Sequence, residues 1–391
     1  MNILKIRISG LSVCSSVLDL DFCASQKISE NARQQLIDLN GSLFLNPVIE
    51  FAGLNGTGKT VLLNVLFFVM RMLNGRPLNN QGVLTDRMIR YMNHRPFTVE
   101  TWYFLNGEIT HLTTDIGLEK DFVFGGDPRL IILSETISVM SRNLRNKTEW
   151  LHSEKYQRTE RRPSPEENPY LLDDVSMNIV KTKDRGNRIR AVGNLFSSQE
   201  DTLHFLRNLP EQMIHFLNPG IEKIEVWKND SGNRIESYTL KFVDREPLEI
   251  QEPEAMLSCL STGTIMGLRL FSMASQVLKQ GGYLVEDDLE AHLNIEITKT
   301  LIRLFQNKTI NKGNGVLVFS SHCPELMYKM ERNDSVYIFK NRNGIACEKA
   351  SETLKRNDGI RKSEAFISDY FHGTAPDYNA WISLKEWLQN Q

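Results

Sequence analysis

Eight residues, G-L-N-G-T-G-K-T at 53–60, restrict the fold more than any other stretch of this chain. They fit the spacing G-x-x-x-x-G-K-[ST]. Apolar V-I-E-F-A (48–52) precedes them and V-L-L-N-V-L (61–66) follows. A strand that ends in such a loop and re-enters as a buried helix belongs to an α/β sheet. Gly53, Gly56 and Gly58 let the backbone curl until several N–H groups face one anion, and the helix N-terminus adds partial positive charge. The spacing predicts that Asn55, Gly56, Thr57, Gly58, Lys59, Thr60 and Val61 bind a nucleotide. Lys59 would reach the β- and γ-phosphates, and the Thr60 hydroxyl would hold Mg²⁺.

A phosphate loop needs carboxylates opposite its lysine. Residues 283–294, Y-L-V-E-D-D-L-E-A-H-L-N, read as an apolar strand ending in acids. One carboxylate there would hold Mg²⁺ and a neighbour would orient or deprotonate the attacking water. Residues 316–326, V-L-V-F-S-S-H-C-P-E-L, place His322 just past another strand end, where parallel sheets carry functional residues. Its expected role is a contact to the γ-phosphate. Cys323 beside it has no partner constellation for nucleophilic work.

A fourth stretch, S-C-L-S-T-G-T-I-M-G-L-R-L at 258–270, puts a polar, glycine-containing knot before an apolar helix. Taken alone it is a helix cap.

The rest of the chain sets the frame for these motifs. Residues 3–8 and 17–22 read as an N-terminal hairpin, and 98–112 as a second hairpin turning at Asn106-Gly107. R-L-I-I-L at 129–133 reads as a strand. From 134 to 215 the chain is polar and helical in propensity, broken by the loop R-R-P-S-P-E-E-N-P at 161–169. Its basic clusters, Arg158, Arg161 and Arg162 and then Lys181 to Arg190, alternate with acids, as on a solvated face. β-character returns at 221–250, with a turn at 229–232, followed by alternating helices and strands. The expected division is therefore an N-terminal lobe at 1–133, a helical insertion at 134–215 and a C-terminal lobe at 216–391.

Of 391 residues, 41% are hydrophobic and 24% charged, and the net charge is −2. This is a globular composition without a dominant nucleic-acid footprint. The greasiest run, 61–73, is short of the about 20 apolar residues that span a bilayer. The five cysteines form no C-x-x-C pair, and the N-terminus lacks a signal-peptide core, so a cytoplasmic location without membrane contact is expected.

The four elements G-L-N-G-T-G-K-T, L-S-T-G-T, L-V-E-D-D-L-E-A-H-L-N and F-S-S-H-C-P-E-L, in this order, resemble the ABC-type ATPase heads of the SMC, RecF and OLD class. Within it the chain looks most like the bacterial AAA family ATPases of anti-phage defence systems such as Septu and PARIS. The resemblance covers about 1–130 and 216–345. It implies a P-loop NTPase fold of ABC-head type, with a mostly parallel sheet, an N-terminal antiparallel β subdomain and a helical insertion. It also implies ATP and Mg²⁺ as cofactors and ATP hydrolysis as the reaction.

In such heads two chains pair head-to-tail across two ATP molecules. The resemblance makes L-S-T-G-T the signature, with Ser261 and Gly263 capping the γ-phosphate bound by the partner. It implies a homodimer or a higher even oligomer. Aligned on A-H-L-N, Asp287 holds Mg²⁺ and Asp288 is the catalytic carboxylate, joined by Lys59 and His322. The class usually has Glu where Asp288 stands. A carboxylate one methylene shorter predicts slow turnover. The glutamine of the class's Q-loop has only Gln81 as a candidate. About 70 residues follow His322, fewer than a nuclease domain of ordinary size, so an effector nuclease or toxin is expected on a separate protein. Two alternatives share the motifs: a RecF-like repair ATPase that binds DNA through residues 142–190, and an OLD-like ATPase partnered with a nuclease. The C-terminal stretch 360–387 is aromatic-rich, suited to core packing or to docking a partner.

Overall fold

The computed structural model describes residues 1–119, 128–140, 148–194, 209–228, 235–354 and 359–390. It is a mixed α/β structure with one mostly parallel sheet and separate antiparallel sheets. The parallel sheet has the order Ala191–Gly193, Gly282–Glu286, Gly315–Ser321, Val48–Ala52, Val336–Asn341, with Ile345–Lys349 as an antiparallel edge. Val48–Ala52 and Gly315–Ser321 are buried at every position. That is why they read as mostly apolar runs rather than as alternating strands. Because these strands are parallel, the chain leaves Ala52, Glu286 and Ser321 on the same edge of the sheet. All the sequence motifs except the knot at 258–270 begin there.

The antiparallel sheet runs Leu18–Asp21, Asn2–Ser9, Phe97–Leu105, Glu108–Leu118, Leu130–Met140, Arg158–Arg161. Both hairpins expected from the alternation are present, and the second turns at Asn106, whose φ of 51° is left-handed, and Gly107. The helix Lys59–Leu73 joins the two sheets. Twelve of its 15 residues are buried, and its leucines, valines and phenylalanines share one core with Ile3, Ile6, Tyr103 and Leu112 of one sheet and Phe51, Val318 and Tyr337 of the other. A helix apolar all round is buried on all sides, and this one carries the greasiest run of the sequence.

A second core lies on the opposite face of the parallel sheet. There the helices Thr262–Gln280 and Ile295–Gln306 pack on Leu284, Leu317 and Phe319. A small antiparallel sheet, Ile221–Lys228, Ile235–Phe242 and Leu248–Ile250, packs with the helix Glu211–Leu217 around Ile224, Tyr238 and Leu240. Its turn at 229–232 lies outside the described residues.

The expectation of a helical insertion at 134–215 is corrected. Its described residues form the strand Leu130–Met140, the strand Arg158–Arg161, short 3₁₀ turns and the strand Ala191–Gly193. Among the described residues of the stretch, the first α-helix is Glu211–Leu217, at its end. Leu130–Met140 carries the β-branched Ile131, Ile132, Thr136, Ile137 and Val139 and pairs along Glu108–Leu118, so the strand runs on past residue 133. Buried Glu135 then organises the following loop. It accepts the Ser176 hydroxyl (2.6 Å), the Met177 N–H (2.6 Å) and the Thr114 hydroxyl (2.9 Å), with Arg162 at 3.3 Å. Residues 141–147 and 195–208 lie outside the described residues.

The aromatic-rich C-terminal stretch divides. Phe366 and Phe371 enter the second core, whereas the helix Tyr378–Gln389 buries none of its residues. No described helix is long and apolar enough to cross a membrane.

Candidate functional site

The loop closes against its own lysine. Gly58 is the N-cap of Lys59–Leu73, with φ 99° and ψ 9°, and Gly56 has φ 77°, so both positions favour glycine. A Cβ on Gly58 would lie 2.5 Å from the Ile345 side chain, and one on Gly53 would lie 2.8 Å from the Phe339 carbonyl. The hairpin 339–345 thus shapes the loop from outside, and Asn341 adds a hydrogen bond from its amide to the Gly56 carbonyl (2.9 Å). Lys59 Nζ donates to the Gly53 (2.9 Å) and Leu54 (3.1 Å) carbonyls. Burial lowers the pKa of Lys59, and the Asp288, Asp287 and Glu290 carboxylates oppose that shift. A cavity of about 730 Å³ opens over the loop. Asn55 to Val61, Asp288, Ser12, Val13 and residues 341 and 343–345 line it.

The acidic strand end meets the loop directly. The Thr60 hydroxyl donates to Asp287 Oδ2 (2.7 Å), so the two residues expected at a metal touch each other. The other oxygen, Oδ1, accepts the Ser320 hydroxyl (2.5 Å), and Ser320 in turn accepts the Asp288 N–H (2.7 Å). Asn194 braces the same turn, accepting the Asp287 N–H at 3.3 Å and donating to its carbonyl at 3.4 Å. A threonine hydroxyl and a carboxylate are oxygen donors that suit Mg²⁺. Asp288 has φ 46°, a left-handed conformation that aspartate tolerates at a cost of about 1–3 kcal/mol. It brings Oδ1 to 3.8 Å from His322 Nδ1.

Glu290 was not singled out by the sequence, yet it is the hub at His322. Its Oε1 accepts the His322 N–H (2.8 Å) and the Ser321 hydroxyl (3.0 Å), and it lies 3.1 Å from His322 Nδ1. One ligand atom each of Asp288, Glu290 and His322 lies within 4.8 Å of the others. The signal was present in the spacing D-D-L-E, but only the three-dimensional meeting of two strand ends gives it meaning. Ser320, Asn194 and Asn341 were missed for the same reason.

Two buried acids lie behind this surface. Glu286, the last residue of its strand, is pushed up to about 8 by burial, with Arg269 pulling the other way. Glu50, in the loop strand, is likewise pushed up to about 8 by burial. Lys362 lowers it and Glu290 raises it, and neither carboxyl oxygen has a hydrogen-bond partner among the described residues.

The knot at 258–270 stands apart from the loop. Ser261 caps the helix Thr262–Gln280, accepting the Thr264 N–H at 3.1 Å. Gly263 lies against the acidic turn, where a Cβ would come 2.5 Å from the His292 carbonyl. Neither residue lines the cavity over the loop of its own chain. Gln81 is buried, its amide atoms have no hydrogen-bond partner, and it does not line that cavity. Burial raises the Cys323 thiol, which disfavours a thiolate. No protein-family profile matches the chain, and no curated protein matches it significantly.

Proposed function

We propose that this chain is an ABC-type ATPase head that binds Mg²⁺–ATP, hydrolyses it slowly and dimerises around it. One observation carries the reading. Three adjacent parallel strands end together and deliver the loop, the Thr60–Asp287 pair, Asp288 and His322 to one edge. That set supplies what phosphoryl transfer to water requires: an anion cradle, oxygen donors for the metal, a carboxylate near the attacking water and a group for the γ-phosphate.

In the steps this chain would perform, Lys59 leaves the Gly53 and Leu54 carbonyls and turns to the β- and γ-phosphates. Thr60 and Asp287 would hold the metal, which would supply positive charge to the phosphates. Asp288 orients the water, and its short side chain keeps turnover low. Ser261 and Gly263 do not line the cavity over their own loop, which suits residues that act on a partner's nucleotide. By resemblance alone, the closed dimer acts as a switch for a separate effector, a nuclease or toxin, in bacterial anti-phage defence.

The test is nucleotide binding and phosphate release with the Lys59→Ala variant as control. Binding of a fluorescent ATP analogue that is lost in Lys59→Ala, with slow phosphate release lost alongside it, supports the reading. Equal binding by both proteins refutes it. Light scattering with Mg²⁺ and a non-hydrolysable ATP analogue tests dimerisation. A rise in mass that Ser261→Arg abolishes supports pairing through the signature.

A further inference from the structure

Of the carboxylates at the acidic turn, Glu290 has no task in the reading above, although it makes the closest contacts to His322. Its side chain is 11% exposed against 45% for Asp288. Three groups from two successive residues converge on its Oε1: the Ser321 hydroxyl, the His322 N–H and the His322 Nδ1. The backbone hydrogen bond fixes where His322 starts, and it leaves Oε1 within 3.1 Å of the ring's Nδ1, close enough for a small ring rotation to bring the two into line. Asp288 approaches the same Nδ1 only to 3.8 Å, outside hydrogen-bond range.

We propose that Glu290 is a positioning residue for His322: it accepts the Nδ1 proton, sets the tautomer and turns Nε2 toward the γ-phosphate position. The inference rests on the nucleotide reading for its purpose but not for its geometry. A histidine ring nitrogen is defined by what the other nitrogen bonds. With Nδ1–H held by Glu290, a neutral ring offers Nε2 as an acceptor. When the ring gains a proton, Nε2–H becomes a donor to a phosphate oxygen, and Glu290 stabilises that cation. The arrangement also separates the two acids. Glu290 holds the ring, and Asp288, half exposed, remains free for water. The charged groups around the ring are Asp288 and Glu290 on the turn and Lys59 on the loop helix, which these carboxylates influence. Glu50 on the loop strand couples to Glu290 from behind.

The experiment is long-range ¹H–¹⁵N NMR of the imidazole nitrogens in the nucleotide-free, Mg²⁺-free full chain, with His322 assigned by its loss in His322→Gln. The expected result is a protonated Nδ1 between pH 6 and 8. In Glu290→Gln that tautomer is lost or mixed, whereas Glu290→Asp restores part of the wild-type pattern. In turnover, Glu290→Gln should lower kcat by about 10–100-fold, the usual range for removing an orienting partner of a functional histidine. It should leave the affinity for the ATP analogue within about twofold, a split between kcat and binding that a loss of folding would not give. An unprotonated Nδ1 in the wild type, as a cation held by the three side chains would also give, overturns the proposal. So does a His322 signal unchanged in both Glu290 variants. If the NMR result is as expected and ATP does not bind, the nucleotide reading fails while the orienting role stands. If Glu290→Gln does not fold, the Glu290→Asp spectrum decides, since a lengthened Nδ1 contact must change the tautomer balance.

Discussion

Glu50 makes the stability of this fold depend on pH. Its carboxyl lies in the central strand Val48–Ala52, is 0% exposed and has no hydrogen-bond partner on either oxygen among the described residues. Burial raises it from an ordinary 4.5 to about 8, despite the opposing charge of Lys362. The unfolded chain releases this proton near 4.5 and the folded chain only near 8. The group's stabilising contribution is therefore complete below about pH 4.5, falls as pH rises and is gone above about 8. The difference amounts to about 5 kcal/mol at the upper end. About 3.5 kcal/mol of this is lost between pH 5 and pH 8. For 391 residues the unfolding entropy is about 0.8 kcal/mol per degree, so the expected fall in Tm over that window from this residue is about 4 °C. Glu50→Gln keeps the shape and cannot ionise. Thermal unfolding at pH 5, 6, 7 and 8 should show the variant close to wild type at pH 5 and above it at pH 8, with the slope reduced by that amount. Glu286, also raised to about 8, should leave a residual slope in both proteins. If Glu50→Gln retains the full wild-type slope, Glu50 is ionised in the folded state and the reasoning is wrong.

Two other perturbations follow from the geometry. Gly58→Ala would combine a left-handed backbone with a Cβ at 2.5 Å from Ile345, and should cost about 2–4 kcal/mol. Adding Ile345→Val should restore part of the Tm, and no gain would remove the steric explanation. Ser261→Asp preserves the helix cap and should leave Tm within about 1 °C. It should nonetheless abolish the ATP-dependent mass increase, because it sets a negative charge against the partner's phosphate. A mass increase that persists would reduce Ser261 to a cap.

The parallel sheet and the loop were legible because each is encoded locally. The runs 48–52, 283–285 and 316–319 are apolar apart from Glu50 and show no alternation, and glycines mark the point where the chain must curl. The hairpin at Asn106-Gly107 was legible from its turn residues. The stretch 134–215 was not, because its structure is imposed from outside. Leu130–Met140 follows the edge offered by Glu108–Leu118, and Glu135 then ties down residues 176–177 by hydrogen bonds no periodicity records. The site was half legible for a similar reason. Lys59, Thr60, Asp287 and His322 sit at fixed offsets from strand ends. Glu290, Ser320 and Asn194 acquire roles only when separate strand ends become neighbours.

The strand order carries a consequence for synthesis. Val48–Ala52 is made early, yet both of its sheet neighbours, Gly315–Ser321 and Val336–Asn341, are made more than 250 residues later. Until they emerge, this strand, apolar but for Glu50, has its hydrogen-bonding edges open, next to a helix that is greasy on every side. Such an interval invites mispairing and aggregation at the ribosome. Chains truncated before about residue 341 should therefore depend on chaperones for solubility, and the nascent protein should gain protease resistance late and in one step.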